Sequence, residues 1–171
     1  MDLIYLEEFF DYKNQLMKDI LTNERIIDLL TDGQVDVKDA SKLAYDQVWP
    51  VEYVAETLEE GKTFICFDVD INRAENKTFL FPYIYVWVFS HRSKVRYYKG
   101  GVRPDLIASE LAKVMDGSRV YGLGELKLYS ASRFVPLTDW VGKVLMFTAY
   151  DVSKTHPTGK PIPANRKDHN L

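Results

Sequence analysis

The N-terminal residues carry apolar side chains at the spacing of two consecutive helices. From Leu6 to Thr22 these side chains recur every three or four positions, which places them on one face and predicts a helix ending near Thr22. Asn23 can cap a second, short helix that stops near Gly33, because asparagine accepts N-terminal amide hydrogens and glycine readily ends helices. We therefore predict an N-terminal helical hairpin.

Two segments in the middle of the chain alternate in the way that β-strands do. Residues 63–71 keep apolar side chains on one face and end with two aspartates on the other. Residues 79–90 are apolar on both faces, so this strand needs cover on both sides, and Pro82 predicts a bulge or a sheet edge. The stretch 34–62 shows no clean period and is predicted to be a long covering connection.

The second half of the chain predicts one more helix and one more hairpin. Pro104 follows two glycines and suits the first turn of a helix. Residues 125–134 and 143–151 alternate as partner strands, joined by a loop over 136–142. The fold class is therefore α+β, with a four-stranded, largely antiparallel sheet of two hairpins and a central helix packed on one face.

The last residues lack the side chains that build a core. The run 153–171 holds three prolines and no aromatic residue, so it cannot stabilise its own ordering by burial. We expect a single α+β domain over 1–152, followed by an extended or disordered tail over 153–171. A length of 171 residues with 46% hydrophobic residues suffices for one core without a metal or a disulfide.

Charge and cysteine content narrow the class of protein. Lys plus Arg number 22 against 25 Asp plus Glu, and this net charge of -3 is too balanced for a dedicated binder of nucleic acid or membrane. Cys66 is the single cysteine, so no intramolecular disulfide forms and a reducing compartment fits. No apolar stretch has the length of a membrane span, and the acidic start lacks the basic region of a signal peptide. We expect a cytoplasmic protein with no membrane partner.

One pair of short motifs copies a catalytic pattern. Pro104-Asp105 followed by Glu125-Leu126-Lys127 matches magnesium-dependent nucleases, in which carboxylates hold the metal and the lysine positions or activates water. That family presents its aspartate from a strand, whereas Asp105 lies where a helix is predicted to begin. A nuclease is therefore a competing hypothesis, decided by whether Asp105, Glu125 and Lys127 converge.

The remaining candidate chemistry is weaker. Asp68 and Asp70 share a strand face and, with Glu75, could bind a cation, but a solvated strand end explains them as well. The three histidines are scattered along the chain, and no nucleophile stands beside a base. We therefore predict a protein that is not an enzyme and that has no cofactor and no metal.

The strand 79–90 carries a row of aromatic residues that helices on the opposite face cannot cover. Cover comes either from 34–62 or from another subunit, and exposed aromatic patches usually mark interfaces. The aromatic residues could instead fill a core within the chain or line a pocket for a small ligand. A basic and aromatic cluster follows the strand and either contacts phosphates or an acidic partner or is a solvated hairpin end. The predicted interface comprises Tyr83, Tyr85, Trp87, Phe89, Arg92, Arg96, Tyr97 and Tyr98.

Four segments carry a likeness to a known protein family. They are GKTFICFDVD at 61–70, YVWVFSH at 85–91, GGVRPDLIA at 100–108 and GLGELKLY at 122–129. Together they resemble the tail terminator, or tail-completion, proteins of tailed bacteriophages, and the likeness follows the element order over roughly residues 1–151. The resemblance implies an α+β subunit that forms a ring, commonly a hexamer, which caps the tail tube.

The resemblance also implies partners and a place in the virus. The ring would contact further copies of the chain, the tail-tube protein and the head-tail connector or adaptor, with passing contact to genomic DNA in the lumen. It would assemble in the host cytoplasm and remain in the neck of the virion. Cyclic rings use two different patches head to tail, which would give the uncovered aromatic row a partner. A head-completion or connector adaptor protein is the competing hypothesis in the same class.

Overall fold

Three α-helices and five strands form the described part of the computed structural model, which comprises residues 4–52, 61–73, 80–121 and 124–149. The predicted α+β class is confirmed. Two short 3-10 helices, Val37–Leu43 and Arg92–Lys94, join the larger elements. The helices are α1 (Ile4–Thr22), α2 (Glu24–Thr31) and α3 (Arg103–Met115), and the strands are β1 (Val48–Trp49), β2 (Thr63–Arg73), β3 (Leu80–His91), β4 (Leu126–Phe134) and β5 (Trp140–Ala149).

The sheet has the strand order β1-β2-β3-β5-β4. The predicted hairpins β2–β3 and β4–β5 are both present and antiparallel, and β3 joins them by pairing with β5. The fifth strand, β1, comes from the connection 34–62 and pairs in parallel with β2, with Val48 opposite Ile65. Two residues are too few to show alternation, so the sequence pattern did not reveal this strand.

The predicted helical hairpin is present, and its second helix begins at the predicted residue. The Asn23 side chain accepts hydrogen bonds from the amides of Arg25 and Ile26 at 3.0 and 3.1 Å, which satisfies two amides that the helix itself leaves unpaired. Helix α2 ends at Thr31, and the C-cap residue Asp32 has a left-handed φ of 55°, which reverses the chain before Gly33.

The main core lies between the helices and one face of the sheet, which we call the inner face. On β3, Ile84, Val86 and Val88 are buried there, and in β2 they lie opposite Val69, Phe67 and Ile65. Full burial of such side chains stabilises the fold by about 1.5–3 kcal/mol each. The helices contribute Leu16, Ile20, Ile26, Ile27, Leu29, Leu30, Ile107, Leu111 and Met115.

The predicted loop 136–142 is shorter in the structure, because β5 begins at Trp140. Gly142 is a strand residue that lies opposite Phe89 of β3 and Phe134 of β4. A Cβ atom on Gly142 would overlap the Val88 carbonyl oxygen and lie 2.6 Å from the Phe89 Cβ. The glycine therefore permits a close approach of strands and does not mark a turn.

Some predictions concern residues outside the described ranges, among them the tail 153–171 and Glu75. Within those ranges no helix has both the length and the apolar character needed to cross a membrane.

Candidate interface on the outer face of the sheet

The face of the sheet opposite the helices, here called the outer face, is built by alternation along three strands. The cross-strand register places Cys66, Trp87 and Val144 in one row of this face, and Asp68, Tyr85 and Met146 in the next. Because strand side chains alternate, every second residue of β3 points here while its neighbours fill the main core. Along β3 the outer face therefore receives the aromatic residues, and the inner face receives the aliphatic ones.

One end of the outer face is closed by an aromatic cluster within the chain. Phe89 and Trp140 are buried with ring centroids 5.8 Å apart, and Phe64 stacks on Phe89 at 5.6 Å. Trp49 and Phe134 pack at its margin. The prediction that Phe89 belongs to an accessible interface is therefore wrong, since its side chain is 0% exposed. Gly142 and Trp140, distant in sequence, close the space around it.

The middle of the outer face carries three half-buried aromatic residues, Tyr83, Tyr85 and Trp87, which we call the aromatic ladder. The Tyr85 and Trp87 rings stack at 5.8 Å with an interplanar angle of 18°, and Tyr83 follows at 6.4 Å from Tyr85. All three stand on β3, which is hydrogen-bonded to strands on both sides over these residues. The ladder is therefore a rigid, partly accessible aromatic surface.

Charged residues border the ladder. The register continues one row as Asp70, Tyr83, Thr148 and Lys127, with an acid at one side of the sheet and a base at the other. Asp70 is exposed, and Lys127 pairs with Glu125. An apolar centre with a charged rim is the usual anatomy of a protein interface.

The proposed cation site at Asp68 is filled by a side chain of the protein. The Lys13 ammonium of α1 lies 2.7 Å from the Asp68 carboxylate, which neutralises it. Among the described residues, no group of three His, Cys, Asp or Glu side chains is arranged to hold a metal ion. Asp68 is therefore paired with Lys13 at the position where the hypothesis placed a cation.

The predicted basic and aromatic cluster after β3 divides between surface and interior. Arg92, Arg96 and Tyr98 are exposed, and Arg92 lies 3.7 Å from the Asp139 carboxylate. The Tyr98 hydroxyl lies 3.3 Å from Asp28 of α2, so this ring stands beside the helices and away from the ladder. The structure therefore does not bring Tyr98 together with Tyr83, Tyr85 and Trp87.

Tyr97 is buried, so its predicted place in an accessible interface is wrong. Its hydroxyl donates a short hydrogen bond to Asp28, and the guanidinium groups of Arg25 and Arg103 lie 5.1 and 5.6 Å from its ring centre. Lys99 also contacts Asp28, at 3.3 Å. Partial burial opposes ionisation of Asp28, but these hydrogen bonds outweigh it and lower the pKa of the carboxyl.

Arg103 is a structural residue that the sequence reasoning missed. It is 1% exposed, and it donates to the Lys94 carbonyl oxygen at 2.7 Å, to Asp32 at 2.5 Å and to the Leu29 carbonyl oxygen. It thereby joins the end of α2, the loop before α3 and α3 itself. The only signal in the sequence was an arginine immediately before Pro104, at the predicted start of a helix.

The nuclease pattern does not assemble. Asp105 lies 3.6 Å from Lys143 of β5, whereas Glu125 precedes Leu126, which pairs with Ala149 at the other end of β5. Six residues of strand separate the two positions by about 20 Å. Glu125 instead contacts Lys127 and Arg119, and these bonds lower the pKa of its carboxyl to about 2. Asp105 and Glu125 therefore cannot share a metal ion in this arrangement.

A ligand pocket built on the aromatic ladder is also not seen in the described hollows. One hollow of about 180 Å³ is lined by polar side chains that include Gln47, Lys62, Thr63 and Lys94. A second lies beside α2 and includes Asp28 and Asp36. No aromatic residue lines either of these two described hollows.

Comparison with known proteins gives one family. The model of the YomW family matches residues 23–149, from the residue that caps α2 to the end of β5. The matched segment contains the whole sheet and both α2 and α3, and it leaves α1 outside. No curated protein matches the chain.

Proposed function

This chain belongs to the YomW family, which derives from phage genes, and on the premise that it is phage-related we propose that it is a tail terminator. Copies of the chain form a ring, a hexamer in the manner of such proteins, at the head-proximal end of the tail tube. The ring stops tube polymerisation and presents a different surface to the head-tail connector. This role makes or breaks no covalent bond, so the protein is not an enzyme.

The aromatic ladder is the observation that carries the proposal. Tyr83, Tyr85 and Trp87 are half-buried on a central strand, and no residue of the three described helices belongs to the buried cluster on that face. Aromatic side chains on a rigid strand lose little conformational freedom on binding, and Tyr and Trp are enriched among residues that dominate interface energies. The ladder therefore suits a permanent contact between subunits.

The charges around the ladder suit a head-to-tail contact. Asp70 stands at one side of the ladder row and Lys127 at the other. A ring subunit contacts its two neighbours through different patches, so an acid on one copy can approach a base on the next. The proposed partners are thus further copies of the chain, the tail-tube protein and the connector, in the neck of the virion after assembly in the host cytoplasm. Genomic DNA that passes through the ring would contact only the residues that line its lumen.

Native mass spectrometry tests the proposal on the purified protein, alone and with the tail-tube subunit of the same phage. We expect a closed oligomer in one of these conditions, and its loss in Tyr85→Ser. Phe10→Ser is the matched control, because Phe10 is an aromatic residue that is 67% exposed on α1. A monomer under every condition would overturn the terminator, and binding to the connector without the tube would indicate a head-completion adaptor.

A further inference from the structure

The two edges of the sheet are closed to different degrees. On the β2 side, β1 pairs with Ile65 and Cys66, and the Val69 amide donates to the Asp68 carboxylate at 2.7 Å. Lys13 of α1 then pairs with that carboxylate. Paired strands, occupied amides and charges are the devices that keep edge strands from adding another strand.

On the β4 side, only the first residues of the strand are closed. The Leu126 amide donates to the Ser118 carbonyl oxygen at 2.9 Å, and its own carbonyl accepts from the Gly117 amide at 2.8 Å. The Leu128 amide donates to the Asp116 carboxylate at 2.9 Å. The turn 116–118 therefore satisfies both outward backbone groups of Leu126 and the amide of Leu128.

The rest of β4 presents outward backbone groups without partners in the described part of the chain. After the register shift beyond Leu128, Ala131 and Arg133 lie opposite Leu145 and Lys143 of β5. In an antiparallel ladder alternate residues point away from the partner strand, and these two hold the same alternate positions as Leu126 and Leu128. We call Ser130–Phe134 the open edge.

Exposed apolar residues flank the open edge symmetrically. Tyr129 is 61% exposed at one end and Val135 is 44% exposed at the other, and each lies three residues from Ser132. We propose that the open edge pairs antiparallel with the same edge of a second copy, with Ser132 on the two-fold axis. Tyr129 of each copy then lies opposite the partner's Val135, and both apolar side chains leave water.

The register fits the side chains and the backbone. Ala131 lies opposite the partner's Arg133, so a small side chain faces a long one and no two like charges stand directly opposite. Ala131 and Arg133 are the residues with outward backbone groups, and each opposed pair exchanges two hydrogen bonds. Because Tyr129 and Val135 lie at equal distances from Ser132, the open edge matches a second copy of itself at both ends.

This contact goes beyond the proposed ring and is independent of it. The ladder contact joins different patches of neighbouring copies, whereas the open edge joins identical patches about a two-fold axis. A five-residue pairing buries little surface, so the association is weak and depends on protein concentration.

Hydrogen exchange of the wild-type protein, measured by NMR from micromolar to millimolar concentration, tests the pairing directly. We expect the Ala131 and Arg133 amides to gain protection at least tenfold as concentration rises, while amides of β2 stay constant. Sedimentation velocity should show that the wild-type protein dimerises. Ala131→Pro should raise the dissociation constant of this dimer at least tenfold, because proline removes the outward amide. Ala131→Val, which keeps that amide, should associate as the wild type does.

The outcomes of these experiments separate the two contacts. Amides that stay equally unprotected at all concentrations overturn the pairing, as does an Ala131→Pro variant that folds and associates like the wild type. If Ala131→Pro does not fold, the wild-type exchange data alone decide. A ring that persists while these amides stay unprotected overturns only the pairing. Protected amides with no ring leave the pairing in place and remove the terminator.

Discussion

Neighbouring residues of β3 illustrate how differently the two faces of one sheet are used. Val86 is buried on the inner face beneath the helices, whereas Tyr85 stays half-buried on the outer face. Both faces of the strand are apolar, so its composition does not distinguish them. The difference arises from elements elsewhere in the chain, because helices cover the inner face and the aromatic cluster closes only one end of the outer face.

The comparison separates stability from association. Ile84, Val86 and Val88 on the inner face are enclosed by the chain itself, so their burial is complete in the monomer. The ladder keeps accessible aromatic surface that a second molecule can still bury. Substitutions on the two faces should therefore differ in kind: those inside lower the free energy of unfolding, and those on the ladder lower self-association.

The largest expected effect on stability comes from substitution of Arg103, whose hydrogen bonds join α2, α3 and the loop between β3 and α3. Arg103→Met should lower the free energy of unfolding by about 3–5 kcal/mol, because Asp32 and two carbonyl groups lose a buried partner. Arg96→Met, at an exposed arginine in the same loop, should change it by less than about 0.5 kcal/mol. Urea denaturation followed by circular dichroism measures both. Equal effects would mean that the Arg103 contacts do not hold the helices in place.

The direct comparison on β3 comes next. Val86→Ala should lower the free energy of unfolding by about 2–3 kcal/mol, since it leaves a cavity under the helices. Tyr85→Ser should lower it by about 1 kcal/mol, as a half-buried site does, and should abolish the oligomer. Denaturation of dilute protein and native mass spectrometry separate these effects. A Tyr85 variant that is as unstable as the Val86 variant would identify the ladder as core.

The buried thiol of Cys66, at the closed end of the outer face, should make the stability of the protein depend on pH. Burial raises the pKa of its thiol from 9.0 to about 12, so between these values the unfolded chain loses a proton that the native protein keeps. The free energy of unfolding is therefore unaffected by this group below pH 9 and falls as pH rises toward 12. The loss is on the order of 2 kcal/mol by pH 11.

The control for this prediction is Cys66→Ala. Tyr97 and Tyr121, whose pKa values burial also raises, act in the same direction in both proteins. The variant should therefore lose less stability between pH 9 and 11 than the wild type, in urea titrations at each pH. Identical slopes would show that the thiol is open to solvent.

The smallest effect is expected where α1 reaches round to β2. Lys13→Met should lower the free energy of unfolding by less than about 1 kcal/mol, because the Asp68 pair is partly exposed. The difference should shrink as salt is added, since ions screen such pairs. Thermal denaturation at low and high salt measures it. A loss above that range, unaffected by salt, would indicate that Lys13 acts through packing.

The sequence predicted what local periodicity determines. The helical hairpin with Asn23 as cap, both β-hairpins and the helix at Pro104 are confirmed, because their signals lie within a few residues. The strand β1, by contrast, exists only through its pairing with Ile65. A two-residue strand has no pattern of its own, so nothing in the sequence separates it from a loop.

The candidate site was predictable in part for the same reason. Alternation along β3 placed Tyr83, Tyr85 and Trp87 on one face, and the structure places them there. The same alternation could not show that Phe89 is enclosed, since Trp140 and Gly142 arrive from another strand. Tyr97 was misjudged because its partner Asp28 lies on a helix far away in sequence. A single sequence therefore does not show which side chains are buried by residues that are distant along the chain.

Gly142 has a consequence for how far sequences of this fold can diverge. Any side chain at this position would overlap the Val88 carbonyl oxygen, which belongs to the neighbouring backbone and cannot move without breaking the β3–β5 register. A relative that keeps this register must therefore keep glycine there, whatever else it changes. In a saturation library selected for folding, position 142 should tolerate no substitution, and it offers a fixed reference point for aligning distant homologues.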